Sequence, residues 1–446
     1  MTRERRSILL AVALVLVLVL AACQAPAAPQ ASQPAQEEQP AAEEAQPAEE
    51  GGENVLEIFS WWTNPGEADG LAALFEIYRQ RHPDVEIINA TVAGGAGTDA
   101  KAVLKTRMLG GDPPDSFQVH GGQELLANWV VTDYMEPITF LYEEEGWLDK
   151  FPQALLDMVT YEGELYSVIV NVHRGNVLWY NTAIFQENGL EPPRTFDDFF
   201  QVAEALQAAG ITPLAMGGKD RFEVAHLYED VLLGALGPDG YQGLWDGSVA
   251  WTSDEVRAAT ELFSRMLDYT NPDYSAVSWA EAAGMVADGK AAMNIMGDWA
   301  AGYFINTGRT LGEEIGYVPS PGSEGSFMVV NDSFGLPKGA PHRENAINWL
   351  RVVGSREGQE AFNPKKGSIC ARIDCDPDVF GAYHQFSMDD FASNALVPSA
   401  VHGSAAPDAF AATVLLDATL NFVVDRDIDL LLETLQQAAE ETYLGQ

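Results

Sequence analysis

Basic residues are scarce in this chain: 25 lysines and arginines stand against 66 aspartates and glutamates, a formal charge of −41 at pH 7. Nucleic acid and anionic lipid headgroups would both be repelled by such a surface, so neither is expected as a partner. The deficit belongs mainly to the later chain. Residues 1–53 hold eight acids and three bases, which leaves 58 acids, 22 bases and a net of −36 beyond them. Cysteine is rarer still, with three in 446 residues. None has histidines at metal-ligand spacing, and no zinc or other metal site is expected. An apolar run of membrane-spanning length is also wanting near the N-terminus. Ile8–Ala22 has 15 residues, short of the roughly 20 that a transmembrane helix needs. Aromatic residues are absent from positions 24–53, which consist almost wholly of Ala, Pro, Gln, Glu, Ser and Gly.

What is present organises itself around these gaps. Arg3, Arg5 and Arg6 precede the short apolar run and give residues 1–23 the plan of a secretory leader. The run ends Leu20-Ala21-Ala22-Cys23, which resembles the bacterial lipobox. That resemblance implies cleavage before Cys23, lipid on its sulfur, and a protein held at the outer face of the cell membrane. Segment 24–53 cannot bury enough surface to fold and reads as an extended tether. Over the whole chain, 47% hydrophobic and 10% aromatic residues at this length suit two or three globular domains. With Cys23 lipidated, Cys370 and Cys375 remain as an even pair in an oxidising compartment. They are expected either as a disulfide closing a small loop or as two free thiols.

The richest stretch is Leu56-Glu57-Ile58-Phe59-Ser60-Trp61-Trp62, an apolar strand pattern that stops at two tryptophans before the turn signal Asn64-Pro65-Gly66. Strands that carry large rings to their C-terminal ends place them where α/β sheets form ligand crevices, although both indoles could equally be core. A helix follows over Gly70–His82, a strand over Val85–Val92, a glycine-rich turn at 94–97, a helix over Asp99–Leu109 and a third strand at Ser116–His120. The glycine cluster lacks the Gly-Lys-Ser/Thr ending of a phosphate-binding loop. Gln118 and His120, two apart on a strand, point to one face and need polar partners there. Tyr161–Tyr166 reads as a hairpin. Asn171–Asn176 interrupts an apolar run as a segment passing between lobes would, and His173 and Arg174 are read as packing at that passage. Helices follow over Phe222–Leu236 and Asp254–Tyr269, and another after Ser278-Trp279. A strand over Ala291–Met296 ends at Asp298 and Trp299. Tyr317–Gly322, with two prolines, reads as a second passage. Asn331–Pro337 is a strand carrying Asp332, Ala346–Gly354 a helix, and both Asn363–Ser368 and Pro398–Gly403 are loops.

The segments Leu56–Trp62, Ile88–Val92, Lys105–Asp115, Phe117–His120, Asn294–Tyr303, Asp332–Gly339, Asn363–Ile369 and Val401–Gly403 together resemble family 1 extracellular solute-binding proteins of ABC importers. Within that maltose-binding-like group they are most similar to the glucose- and galactose-binding proteins of thermophiles. The resemblance spans residues 54–446. It implies a two-lobed α/β clamp of the periplasmic-binding-protein fold with three interlobe crossings, near 171–176, 317–322 and 366–371. One lobe would comprise 54–171 plus 322–366 and the other 176–317 plus 371–446. It further implies a monosaccharide ligand, permease subunits as partners, and no cofactor or catalytic residue; a monomer is the simplest reading of the chain. The ligand residues map onto Trp61, Trp62, Gln118, His120, Trp279, Asp332, Lys366 and His402, with Asp298 and Trp299 as further members. Lys365 leaves the lysine assignment open by one position.

These residue types suit a sugar on their own chemistry. A pyranose has apolar faces that flat rings can cover and a rim of hydroxyls that need fixed donors and acceptors. The alternatives are a di- or oligosaccharide or a polyol in the same role, a glycoside hydrolase and a purely structural surface protein. The hydrolase would need two carboxylates roughly 5–9.5 Å apart across the bond, for which Asp298 and Asp332 are the candidates. The structural protein would have no use for cleft-lining Gln, His and Lys.

Overall fold

The computed structural model describes residues 54–444. The leader, the tether and Cys23 therefore lie outside the described residues. Val55–Phe59 forms the strand expected of its apolar pattern, with Leu56, Ile58 and Phe59 buried. It pairs in parallel with Glu86–Asn89 on one side and Ser116–His120 on the other. Asp332–Gly335 and Ser167–Ile169 complete a five-stranded sheet. Asp332–Gly335 runs antiparallel to Ser116–His120, and that register sets Asp332 directly opposite His120 and Phe334 opposite Gln118. Two residues more than 200 positions apart thus meet at one sheet end.

A second sheet has the order Ile315–Pro319, Val177–Asn181, Ala291–Ile295, Thr212–Ala215. Each sheet has its own apolar cluster, one holding Leu56, Phe117, Phe334 and Trp349, the other Trp179, Tyr228, Phe263 and Met293. Between them lies a three-stranded sheet of Ala395–Pro398, Ser326–Val330 and His173–Arg174. All of Ser326–Val330 is buried, and its pleat divides it between the lobes. Phe327 and Val329 join the first cluster, Met328 and Val330 the second. Val172 bridges Ile369 through reciprocal backbone hydrogen bonds of 2.9 and 3.0 Å, so the first and third crossings run side by side. Cys370 and Cys375 are disulfide-bonded. The loop they close touches the first lobe, where Ile373 N–H donates to the Lys150 carbonyl and Arg372 to that of Gly354. The expected lobe limit at 371 falls within this loop, and the one at 322 lies between Pro319 of the second sheet and the shared strand Ser326–Val330.

Three local expectations differ from what is observed. The first helix begins at Glu67, three residues early, because Asp69 accepts from Gly66 N–H at 2.9 Å and closes the helix start. Tyr317–Pro319 stays in the second sheet as an edge strand, where a terminal proline is tolerated. The second crossing therefore starts at Ser320. Asn363–Lys366 is not a loop: the helix Arg356–Lys366 runs through Pro364 to a left-handed cap at Gly367. Asn363 secures it, donating to the Val170 carbonyl and accepting from Ser368 Oγ. Val170 lies 193 positions away, so a proline-based reading misses it.

Candidate functional site

A cavity of about 30 Å³ lies between the two lobes at the sheet ends. Trp61 and Trp62 enter it from the end of the first strand. Trp279 is the first residue of the helix Trp279–Ala287, which Ser278 and Glu281 cap reciprocally. Trp299 opens the helix Trp299–Asn306 behind Asp298. Polar groups come from the first sheet (His120, Asp332), the helix end at Lys366 and the loop at His402. Of the ten expected ligand residues the structure gathers eight around this one space. Lys366, rather than Lys365, lines it.

Gln118 and Asp298 stand behind the wall instead. Gln118 Nε2 donates to Asp332 Oδ1 at 2.7 Å, while its Oε1 accepts from Trp61 N–H at 3.2 Å. Asp298 is fully buried, bonded to His173 Nδ1 and accepting from Arg174 N–H at 3.0 Å. Gln118 thus bonds Asp332 and Trp61, and Asp298 bonds His173, groups that do face the cavity. Five residues outside the expected set also line it: Glu67, Ala96, His173, Phe222 and Val330. His173 was legible as a polar break in an apolar run, but its role as passage packing hid its second one. Phe222 starts a helix and carries no signal that separates it from core. Glu67 sits in the first turn of its helix, a place where any acid is favoured.

Asp332 is the electrostatic centre. Its Oδ2 accepts from Asn171 Nδ2 at 2.8 Å and its backbone N–H donates to Asn171 Oδ1 at 2.7 Å. The Nε2 atoms of His120 and His173 lie 3.7 and 3.5 Å from its two oxygens. Burial opposes its charge, but the hydrogen bond from His173 and the charges of Lys366 and His120 win and hold the carboxyl well below its usual range. Lys366 Nζ lies 3.6 Å from Glu67 Oε1 and 5.7 Å from the centre of the Trp62 ring.

Glu124 orients His120, whose Nδ1 it meets at 2.7 Å, and also binds Lys101 at 2.7 Å. Burial acts against this carboxylate too, yet Lys101 and His120 bring it down to about 2 from 4.5. The folded value is the lower one. Its stabilisation is therefore complete above about pH 4.5 and is lost as pH falls toward 2. Glu124→Gln is expected to cost on the order of 3 kcal/mol at pH 7. Chemical denaturation of both proteins at pH 7, 4 and 2.5 should show that gap closing on the acid side.

Two glycines permit close approaches at the site. Gly97 has φ +76°, and a Cβ there would stand 2.7 Å from the Trp61 ring. Gly367, at φ +91°, brings the chain beside the Asp298 carbonyl, where a Cβ would be 2.4 Å away.

Two lobes around a closed, aromatic-walled polar cavity define a solute-binding clamp. The family model for bacterial extracellular solute-binding protein matches residues 53–360. The chain belongs to that family, whose members bind solutes and are not enzymes. It is 36% identical over 87% of its length, and 88% of the relative's, to an uncharacterized ABC transporter extracellular-binding protein of Pyrococcus horikoshii. It is 30% identical to a probable sugar-binding periplasmic protein of Brucella suis, covering 79% of this chain and 84% of that one. Among solved structures, the bacterial solute receptor AcbH, described as having an exclusive preference for β-D-galactopyranose, superposes with a TM-score of 0.77. It shares 17% identity, with 87% of this chain and 98% of that chain covered, a likeness of fold. Among the described residues no helix is long and apolar enough to cross a membrane.

Proposed function

We propose that the protein captures a monosaccharide of the glucose or galactose type between its lobes and delivers it to an ABC importer. The observation that carries this reading is the cavity itself. Tryptophans from both lobes line it beside two carboxylates, a lysine and three histidines, the flat faces and fixed polar groups that a pyranose needs. Its polar members divide the work of reading hydroxyls. Asp332 accepts, Lys366 donates, and His120, His173 and His402 do either according to tautomer. The sugar-binding name of the Brucella relative supports the ligand class.

The proposed ligand set is Trp61, Trp62, His120, Trp279, Trp299, Asp332, Lys366 and His402, joined by Glu67 and His173, with Gln118 and Asp298 holding Asp332 and His173 in place. The crossings near 171–176, 320–326 and 366–371 serve as the hinge, and the lobes close over the sugar as a monomer. Lipid on Cys23 and the tether 24–53 keep the clamp beside its permease subunits.

Two carboxylates line the cavity, Glu67 and Asp332, and both lie near Lys366. That arrangement suits hydroxyl binding better than acid catalysis. Calorimetric titration with glucose, galactose, mannose, maltose and glycerol phosphate tests the reading. A micromolar dissociation constant, about 8 kcal/mol, is expected for glucose or galactose. Tight binding of maltose with none of glucose would overturn it.

A further inference from the structure

His402 reaches the cavity from a stretch with no helix or strand of its own, residues 399–407 after the strand Ala395–Pro398. Hydrogen bonds are what fix such a stretch. Some are internal: the Ser399 carbonyl accepts from Ser404 and Ala405 N–H at 2.8 and 3.0 Å, and the Ala400 carbonyl from Gly403 N–H at 2.9 Å. They shape the turn without fixing where it sits. Ser399 N–H continues the strand, donating to the Val329 carbonyl at 3.1 Å. Beyond that residue the turn needs another anchor.

Glu229, on the helix Phe222–Asp246, lies directly behind the turn and is 2% exposed. Ser399 Oγ donates to its Oε2 at 2.7 Å. Ala400 N–H donates to its Oε1 at 2.5 Å, with Val401 N at 3.4 Å from the same oxygen. Tyr241 Oη meets Oε1 at 2.5 Å and stands 3.1 Å from the Pro398 carbonyl oxygen, which joins the end of the strand to the same cluster. Ser399 Oγ in turn accepts from His402 N–H at 3.2 Å. One buried carboxyl group thus reaches the backbone of His402 through a single hydroxyl. Such a group is costly to bury unless its oxygens are bonded, and here the turn supplies most of the bonds.

The other side of the turn meets the first lobe. The Gly403 carbonyl accepts from Glu124 N–H at 2.8 Å, and Ser404 Oγ donates to the Gly121 carbonyl at 3.0 Å. The His402 ring then stands 5.7 Å from His120 and 4.9 Å from Trp299.

We propose that Glu229 is a positioning residue for the ligand site: its buried carboxyl group holds the turn Ser399–Val401 from behind and so seats the His402 side chain in the cavity wall. An apolar side chain at 229 would leave Ala400 N–H and the Ser399 hydroxyl without their partner, and the turn would shift to find others. The effect on affinity rests on the sugar-binding reading above. The seating of His402 does not.

Isothermal titration with glucose and galactose tests the first part. Glu229→Met, similar in length but without the carboxyl oxygens, is expected to weaken binding about tenfold. Glu229→Gln, whose carbonyl oxygen can still take the Ala400 N–H, should stay within about threefold of wild type. In a His402→Ala background Glu229→Met should cost less than about twofold more, because the group it seats is gone. The seating is read without ligand by proton–carbon NMR of the His402 ring, whose signals are identified by their loss in His402→Ala. They should move in Glu229→Met and keep their wild-type positions in Glu229→Gln. Ser399→Ala, which cuts the link to His402 alone, is the second variant should Glu229→Met misfold, with the same movement expected. Unmoved ring signals in the folded variant, or an equal affinity loss with and without His402, overturn the proposal. Should His402→Ala bind too weakly to titrate, the ring signals decide. Moved ring signals in a protein whose wild type binds no sugar would refute the sugar reading and leave the seating in place.

Discussion

Asparagine at position 332 is expected to weaken sugar binding at least about a hundredfold, measured by isothermal titration against the best-binding monosaccharide. Hydrogen bonds to an ionised group are worth roughly 1.5–3 kcal/mol, and a hundredfold is about 2.7 kcal/mol. Asp332 is ionised because its surroundings are built for the charge: Gln118 and Asn171 donate to it, and Lys366, His120 and His173 surround it. The amide would face the Gln118 and Asn171 donors with one of its own NH₂ hydrogens and would leave Lys366 with Glu67 alone. Specificity should suffer with affinity, since the acceptor that fixes the sugar's orientation is gone. An Asp332→Asn protein that binds within threefold of wild type would remove Asp332 from the ligand set.

Alanine at position 62 is expected to cost the fold about 3–5 kcal/mol, the range for a buried tryptophan truncated to alanine, read from urea denaturation midpoints. Trp62 is 2% exposed and lies against Phe362 at 4.9 Å and Phe334 at 5.6 Å, inside the first lobe's core. Trp61 has a different setting. Its ring meets His120 at 5.1 Å, Lys101 stands 5.6 Å from its centre, and Gly97 leaves its face uncrowded. Trp61→Ala should therefore lose more in sugar affinity and less in stability than Trp62→Ala. Equal effects on both measures would mean that the two rings share one role.

Much of this molecule was legible in its residues. The apolar pattern of Leu56–Phe59, the strand Ser116–His120 and the helix at Ser278-Trp279 are local patterns with local causes, and they appear where expected. The composition of the site was legible as well. Tryptophans, a lysine, histidines and a carboxylate at segment ends are what hydroxyl-rimmed, flat-faced ligands require. Harder to read were features whose partners lie far along the chain. Gln118 and Asp298 were expected at the ligand because the family resemblance maps ligand residues onto them, yet a glutamine can satisfy Asp332 from behind as readily as a sugar from in front. The helix through Pro364 persists because Val170 and Ser368 hold Asn363. His173 could be placed at a crossing from the sequence pattern, whereas its approach to Asp332 depends on how Asp332 is seated.

Residue types alone determined that this chain builds strands ending in rings and polar groups, carries a strongly acidic surface, and has the means to bind a small hydroxylated solute. Only the tertiary structure decided which groups meet. The antiparallel register of Asp332–Gly335 on Ser116–His120 brings Asp332 opposite His120 across 212 positions of chain. The helix that carries Glu229 then brings it behind the turn that holds His402. Hydrogen bonds and charges act over a few ångströms, so partners distant in sequence become visible only once folding has brought them together.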